Sequence, residues 1–352
     1  MVAGDRVVVN KEHGMAIREA IIDVTRRGDL PRERAAAVME EMMTGVATPG
    51  QIGAFLTALA LKGETEDELA GLAEVMRAHA VPVDGAAPLL DTCGTGGDHS
   101  GTFNISTAAA FVAAGAGARV AKHGNRAMSS VCGSADVLEG LGVRIDLDAA
   151  GVARCLAGAG IGFMLAPRFH PALRFAGPVR REIGIRTAFN LLGPLCNPAR
   201  AQHQVIGVPQ AALVPVIART LVRLGAQHAL VVHGHGGMDE LTLSDDNLLL
   251  EVVRGQEPIP LQVDLAALGL RPAGIAALRG GDVATNAAIV RDILAGDEIG
   301  PRRDVVLLNA AAALLAADIA GDLAHGVALA RQSITSGAAA ERLARLVALS
   351  NA

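Results

Sequence analysis

The period of the apolar pattern changes once, at Val81-Pro82-Val83, and that change constrains the fold more than any other feature of the 352-residue chain. Before it, the pattern is helical only. Ile17, Ala20, Ile21 and Val24 recur at i, i+3, i+4 and i+7, and Ala35, Val38, Met39 and Met42 repeat such a face. Pro31 suits the first turn of a helix, where its missing N–H costs nothing. Thr48-Pro49-Gly50-Gln51 and Thr65-Glu66-Asp67-Glu68 each place a hydroxyl three residues ahead of a Gln or Glu, the spacing of a capping box. The expectation is a small domain of about four helices over residues 1–80. Its apolar content is high for exposed helices, which suggests a surface for self-association.

After the change, short apolar runs alternate with helical stretches. Strands are expected at 88–91, 119–122, 162–165, 204–208 and 229–233, with helices at 106–116, 133–141, 148–157, 171–183 and 210–224. Pro215 conflicts with a helix that begins at 210. Residues 244–262 read as a hairpin or loose antiparallel pair, and 302–352 as alanine-rich helix. Continuous apolar strands separated by helices predict an α/β fold: a mostly parallel central sheet flanked by helices, beside the small all-helical domain.

Composition excludes some functions. The net charge is −5, whereas general nucleic-acid binding needs basic surface. Trp and Tyr are absent, which leaves little to stack on bases. The apolar run at 305–317 is shorter than the ~20 residues that span a bilayer. Cys93, Cys132, Cys155 and Cys196 form no CxxC pair, so neither a disulfide framework nor a zinc site is expected. With no apolar leader in MVAGDRVVVN, a cytoplasmic location is expected and no membrane partner.

Four places carry chemistry. Asp91-Thr92-Cys93-Gly94-Thr95-Gly96-Gly97-Asp98 follows a strand and precedes a helix. Its glycines let the backbone approach a ligand, and its amides, with those of the next helix, make an anion site. It matches neither a Walker A nor a GxGxxG pattern, and read alone it also fits a plain tight turn. Lys122-His123-Gly124-Asn125-Arg126 again follows a strand, at the sheet edge where α/β proteins bind ligands, with Ser134 opening the next helix. Asp239-Glu240, after the strand at 229–233, can hold Mg²⁺ directly or through water; read alone it is also an ordinary acidic turn. Arg180 or Arg181, on the helix after His170-Pro171, can pair with a carboxylate or simply face solvent.

Taken in order, these residues resemble the anthranilate phosphoribosyltransferase family, of the class III, nucleoside phosphorylase-like type. Lys122–Arg126 is the family's KHGNR element, and the loop from Asp91 with Asn104-Ile105-Ser106-Thr107 is similar to its phosphoribosyl pyrophosphate loop. Gly133 to Glu139, Gly184-Ile185-Arg186-Thr187, Asn190-Leu191-Leu192-Gly193-Pro194, Asn197-Pro198, Val232-His233-Gly234 and Leu308-Asn309-Ala310 follow in register. His235-Gly236-Gly237 and residues 244–270 match only loosely, and His99 has no assigned role.

The resemblance implies that Gly94, Gly97, Asp98, Thr102, Asn104, Ile105, Ser106, Thr107, Lys122, His123, Gly124, Asn125, Arg126, Ser130 and Ser134 hold phosphoribosyl pyrophosphate. It implies that Ser106, Asp239 and Glu240 bind Mg²⁺, and that Gly94, His123, Asn125 and Arg180 face anthranilate. Lys122, Asp98 and Arg180 are its catalytic candidates. It further implies a homodimer, and a helical domain of residues 1–80 joined by helices from about 170–195, hinged to an α/β domain of 81–352. The alternatives weighed are a pyrimidine nucleoside phosphorylase of the same fold and a non-catalytic, nucleic-acid-binding relative. The intact KHGNR element and the acidic pair favour the transferase.

Overall fold

The computed structural model describes residues 15–127 and 131–352. The chain opens with four helices, α1 (Met15–Thr25), α2 (Arg32–Met43), α3 (Pro49–Lys62) and α4 (Glu66–Ala78). Both expected capping boxes form. Thr48 Oγ1 accepts from Gln51 N at 3.3 Å, and Thr65 Oγ1 from Glu68 N at 3.3 Å. Glu68 does more than cap. It is fully buried and also accepts from Leu30 N at 2.9 Å and Lys62 Nζ at 3.0 Å, tying three segments of the bundle together. Pro31 stands just ahead of α2, as its N-cap, rather than inside the first turn.

The α/β part runs β1 (Leu90–Thr92), α5 (Ile105–Gly115), β2 (Val120–Gly124), α6 (Ser134–Gly140), α7 (Ala149–Ala159), β3 (Ile161–Leu165), α8 (Ala166–Phe169), α9 (Leu173–Ile183), α10 (Ala188–Leu195), β4 (His203–Gly207), α11 (Val214–Arg223) and β5 (His228–His233). Then come β6 (Leu248–Val253), β7 (Ile259–Leu261), α12 (Val283–Ala295), α13 (Pro301–Ala316), α14 (Leu323–Thr335) and α15 (Ala338–Ser350). The expected helix at 210–224 starts later. A short 3₁₀ turn precedes it, and Pro215 occupies its first turn, where the ring is tolerated. The helix expected at 171–183 starts at Leu173 and carries Pro178 within it.

The seven strands order as β3-β2-β1-β4-β5-β6-β7. Strands β1 to β5 pair parallel, and β6 and β7 add an antiparallel edge, which is the pair expected at 244–262. Both faces are covered. Val205, Leu230 and Val232 enter a core with α5, α12 and α13, while Ile206, Val208, Ala229 and Val231 enter a second core with α11, α10, α9 and the bundle. That two-sided burial is why these strands read as continuous apolar runs. The run at 305–317 lies in the buried helix α13 up to Ala316, with Ala317 as its C-cap, and no helix among the described residues is long and apolar enough to cross a membrane.

The order of the strands reverses between β1 and β4, which themselves run parallel. From β1 the next strand of the sheet lies on one side, at β2; from β4 it lies on the other, at β5. The connections therefore part there, and leave a crevice beyond the carboxyl ends of the two central strands.

Candidate active site

The glycine-rich segment fills that crevice. Beyond β1 it still follows β4: Cys93 N donates to Val205 O at 3.1 Å and Thr95 N to Gly207 O at 2.8 Å. It then turns sharply, with φ of 68° at Gly96, 77° at Gly97 and 54° at His99. Glycine accepts the left-handed region at little cost, which is what the first two positions require. The chain returns to α5 through Thr102 and Asn104. Thr102 Oγ1 meets Ser100 Oγ at 3.1 Å, and Asn104 Nδ2 donates to Cys132 O at 3.1 Å while its Oδ1 accepts from Asn286 Nδ2 at 3.0 Å.

The acidic pair arrives from the end of β5 and locks onto this segment. Asp239 Oδ2 accepts from Gly96 N at 2.7 Å, and Glu240 Oε1 accepts from Ser106 N at 3.1 Å. The Asp239 carboxylate also rests against the bare Cα of Gly94, where a side chain would collide with it. Asn309 on α13 holds the turn from behind, donating to Leu241 O at 2.9 Å and accepting from Leu241 N at 3.0 Å. Burial pushes both carboxyl groups well above the usual carboxylate range. Asp98 pushes Asp239 further, Asp239 does the same to Glu240, and Lys122 offsets part of the latter.

Lys122 is buried in the middle of β2. Its ammonium donates to the Thr92 carbonyl, lies 3.3 Å from Thr92 Oγ1 and reaches Ser106 Oγ at 3.5 Å. Its neighbour His123 is set by Asp91, a fully buried carboxylate that accepts from His123 N at 3.1 Å and from Asn197 Nδ2 at 2.8 Å. Burial raises Asp91 to about 6. Nδ1 of His123 donates to Gly193 O at 3.1 Å, and its ring lies 5.1 Å from that of His170. Burial, with His170 adding to it, lowers His123 to about 3, and burial lowers His170 to about 4, so both rings are neutral at pH 7.

The Arg180 guanidinium lies 4.9 Å over the Phe189 ring, and burial lowers its pKa. Phe189 and Gly193 are one turn apart on α10, so Arg180 and His123 converge on one helix face. Four buried polar atoms on elements bordering the crevice have no partner among the described residues: Thr95 Oγ1, Thr107 Oγ1, His123 Nε2 and His170 Nε2. Buried polar groups are normally satisfied, so such a set marks a place where a ligand completes the bonding.

Most of the residues singled out in the sequence thus meet in one place. Gly94, Gly97, Asp98, Thr102, Asn104, Ile105, Ser106 and Thr107 form one wall, and Lys122, His123, Gly124 and Asn125 a second. Ser134 stands beside the second wall, its Oγ donating to Asn125 O at 3.3 Å. Arg126 is differently engaged: its guanidinium meets Asp136 at 3.0 Å and Glu139 at 2.8 Å. Ser130 lies outside the described residues. Reading motifs alone gave no role to Asp91, Asn197, Asn309 or Gly207. Each was visible as a residue in or beside a motif, but their work is to hold backbone from a distance.

Comparison with known proteins agrees with this geometry. Residues 86–340 match the profile of the glycosyl transferase family, a/b domain, and residues 18–80 that of its helical bundle domain. The anthranilate phosphoribosyltransferase of Roseiflexus castenholzii is 68% identical over 96% of this chain and 99% of its own length. That of Chloroflexus aurantiacus is 67% identical over the same shares. Among solved structures, the Thermus thermophilus anthranilate phosphoribosyltransferase superposes with a TM-score of 0.90 at 45% identity, covering 96% of this chain and 99% of its own. A Saccharomyces cerevisiae enzyme solved with phosphoribosyl pyrophosphate and magnesium gives 0.87 at 25% identity, covering 97% and 99%. With relatives this similar along nearly its whole length, the chain belongs to the anthranilate phosphoribosyltransferase family.

Proposed function

We propose that the crevice between β1 and β4 binds phosphoribosyl pyrophosphate against the glycine-rich loop and anthranilate against α9 and α10. The chain transfers the phosphoribosyl group to the amine, releasing pyrophosphate. The observation that carries this is the junction of loop, ammonium and carboxylates, with Gly96 N on Asp239 and Lys122 between Thr92 and Ser106.

The donor set suits magnesium. Ser106 Oγ and two buried carboxylates are hard oxygen ligands; burial, and then the neighbouring carboxylate, raises both carboxyl groups, and a cation beside them would favour their charged form. Among the described residues no group of three His, Cys, Asp or Glu is placed to hold a metal alone. Ser106, Asp239 and Glu240 would hold the magnesium, and when bound it neutralises charge on the pyrophosphate.

The chain's own groups do the rest. Loop amides and the first turn of α5 donate to phosphate oxygens, and Lys122 places a fixed positive charge where the leaving group gathers electrons. Bond formation from the amine nitrogen to C1 of the ribose accompanies rupture of the C1–O bond, whose electron pair leaves with pyrophosphate. The proton shed by the amine passes to water. An aromatic amine is uncharged at pH 7 and needs no strong base, consistent with neutral His123 and His170 lining the site. Arg180 pairs with the anthranilate carboxylate, which orients the amine; orientation of this kind is a main source of rate. Asn125 and the backbone of Gly94 complete the acceptor's surroundings.

The helical domain expected over residues 1–80, whose first fourteen residues lie outside the described ones, closes with the helices at about 170–195 on the rest, excluding water as a competing nucleophile. The molecule is a homodimer, a reading supported by exposed Met15, Ile22 and Leu61 on the adjacent helices α1 and α3. Four free thiols support a reducing, cytoplasmic compartment.

The test is direct. Protein, magnesium, phosphoribosyl pyrophosphate and anthranilate are mixed and the loss of anthranilate fluorescence is followed. Phosphorolysis of thymidine in its place, or turnover in neither assay, overturns the reading. Neither rival is favoured, since relatives matched over nearly the whole chain bear the transferase's name.

A further inference from the structure

We propose that Arg186 is a further binding residue for the same reaction: a cation that grips the leaving pyrophosphate from the connector between α9 and α10. This rests on the transferase reading above. Arg186 is exposed, yet it lies directly on the glycine-rich loop. A Cβ built on Gly97 would stand 2.9 Å from the Arg186 Cζ, and nearer still to its Nη1. The planar guanidinium therefore covers the bare Cα of Gly97, one residue from the amide that holds Asp239.

Three other cations near the crevice are engaged elsewhere. Lys122 is bound to Thr92 and Ser106, Arg126 to Asp136 and Glu139, and Arg180 is stacked on Phe189. Arg186 has no hydrogen bond or ion pair among the described residues. Its neighbour Thr187 is buried with an unpaired Oγ1. Asp239 and Glu240 are held by Gly96 N and Ser106 N, not by Arg186. A guanidinium left free against an amide-rich loop suits a bidentate grip on a phosphate.

The placement also has a mechanical consequence. Arg180 sits at the end of the helix that Arg186 follows, and both α9 and α10 share the bundle's apolar core. Pyrophosphate bound between Arg186 and the loop would draw the acceptor side toward the donor side. Release of pyrophosphate would free them again.

The full-length protein is compared with Arg186→Ala and Arg186→Lys. Magnesium pyrophosphate binding is measured by calorimetry, both Michaelis constants from steady-state rates, and the melting temperature by circular dichroism. Arg186→Ala should weaken pyrophosphate binding and raise KM for phosphoribosyl pyrophosphate about tenfold or more, a loss of about 1.4 kcal/mol or more. The KM for anthranilate and the melting temperature should hold, and Arg186→Lys should recover part of the affinity. Unchanged pyrophosphate affinity in Arg186→Ala overturns the proposal, and a lowered melting temperature beside it would assign Arg186 to a structural latch. If wild type binds pyrophosphate but leaves anthranilate unconsumed, the transferase reading fails while the role of Arg186 in pyrophosphate binding is still decided by calorimetry. If wild type does not bind pyrophosphate, both fail.

Discussion

Gly207, the last residue of β4, is where a single methyl group should separate stability from function. In an ordinary strand, replacing glycine by alanine gains roughly 0.5–1 kcal/mol through backbone entropy. Gly207 is not among the positive-φ glycines, so no conformational strain opposes the change. The obstacle is the Asp239 backbone. A Cβ on Gly207 would stand 3.1 Å from Asp239 Cα and closer to its carbonyl carbon and oxygen. Relaxed contacts lie at about 3.5–4.0 Å, so the Asp239 turn must retreat by roughly 1–2 Å. Asn309 on the far side resists that movement through its paired bonds to Leu241. Overpacking of this kind costs about 1–3 kcal/mol, which outweighs the entropic gain and leaves a folded but weakened protein. The functional cost is larger, because a displacement of about 1 Å in a catalytic group can lower rate about a hundredfold. In Gly207→Ala, kcat/KM should fall about a hundredfold and the magnesium needed for half-maximal rate should rise. Steady-state rates across a magnesium titration, beside a thermal melt, measure both. A folded Gly207→Ala with wild-type kcat/KM and wild-type magnesium response would refute the idea that β4 packing sets the position of Asp239.

Three further outcomes are expected. Lys122→Met keeps the length of the side chain and removes its charge; turnover should drop about 10²–10³-fold with native circular dichroism, and a smaller loss would place the charge outside the transition state. Arg180→Ala should raise the KM for anthranilate about tenfold or more, while that for phosphoribosyl pyrophosphate holds, since a charge-assisted bond contributes about 1.5–3 kcal/mol; an equal rise in both would contradict its role. Burial raises Asp91 from 3.8 to about 6, so the folded chain holds that proton more tightly than the unfolded one. Its stabilising contribution is complete below about pH 4 and is lost as pH rises through about 6, about 3 kcal/mol in all. Urea unfolding from pH 4 to 7 should therefore show a shallower decline in Asp91→Asn than in wild type, and parallel curves would refute the assignment.

How much of this could be read beforehand depended on the range of the forces involved. The capping boxes at Thr48 and Thr65 were legible because donor and acceptor lie three residues apart. The edge pair β6 and β7 was legible because its strands are near neighbours. Helix starts were less so. Pro215 admits a helix only from its first turn, and the 3₁₀ turn before it depends on packing rather than on local preference. KHGNR names Arg126 as a residue of the site, but only the tertiary structure shows that Asp136 and Glu139 on the next helix meet its guanidinium. Arg186 passed as one residue of a motif, since nothing in GIRT reveals which backbone its guanidinium will cover.

Local chemistry alone settled that helices precede an alternating α/β pattern, that a glycine-rich segment follows a strand, and that carboxylates follow another. These depend on periodicity and on the conformational freedom of single residues. Only the tertiary structure decided that the two segments touch. Gly96 and Asp239 are 143 residues apart, and the bond between them exists because β1, β4 and β5 lie side by side with their carboxyl ends together. Strand order follows from how the whole chain buries its two cores, and no local window of sequence contains that free energy.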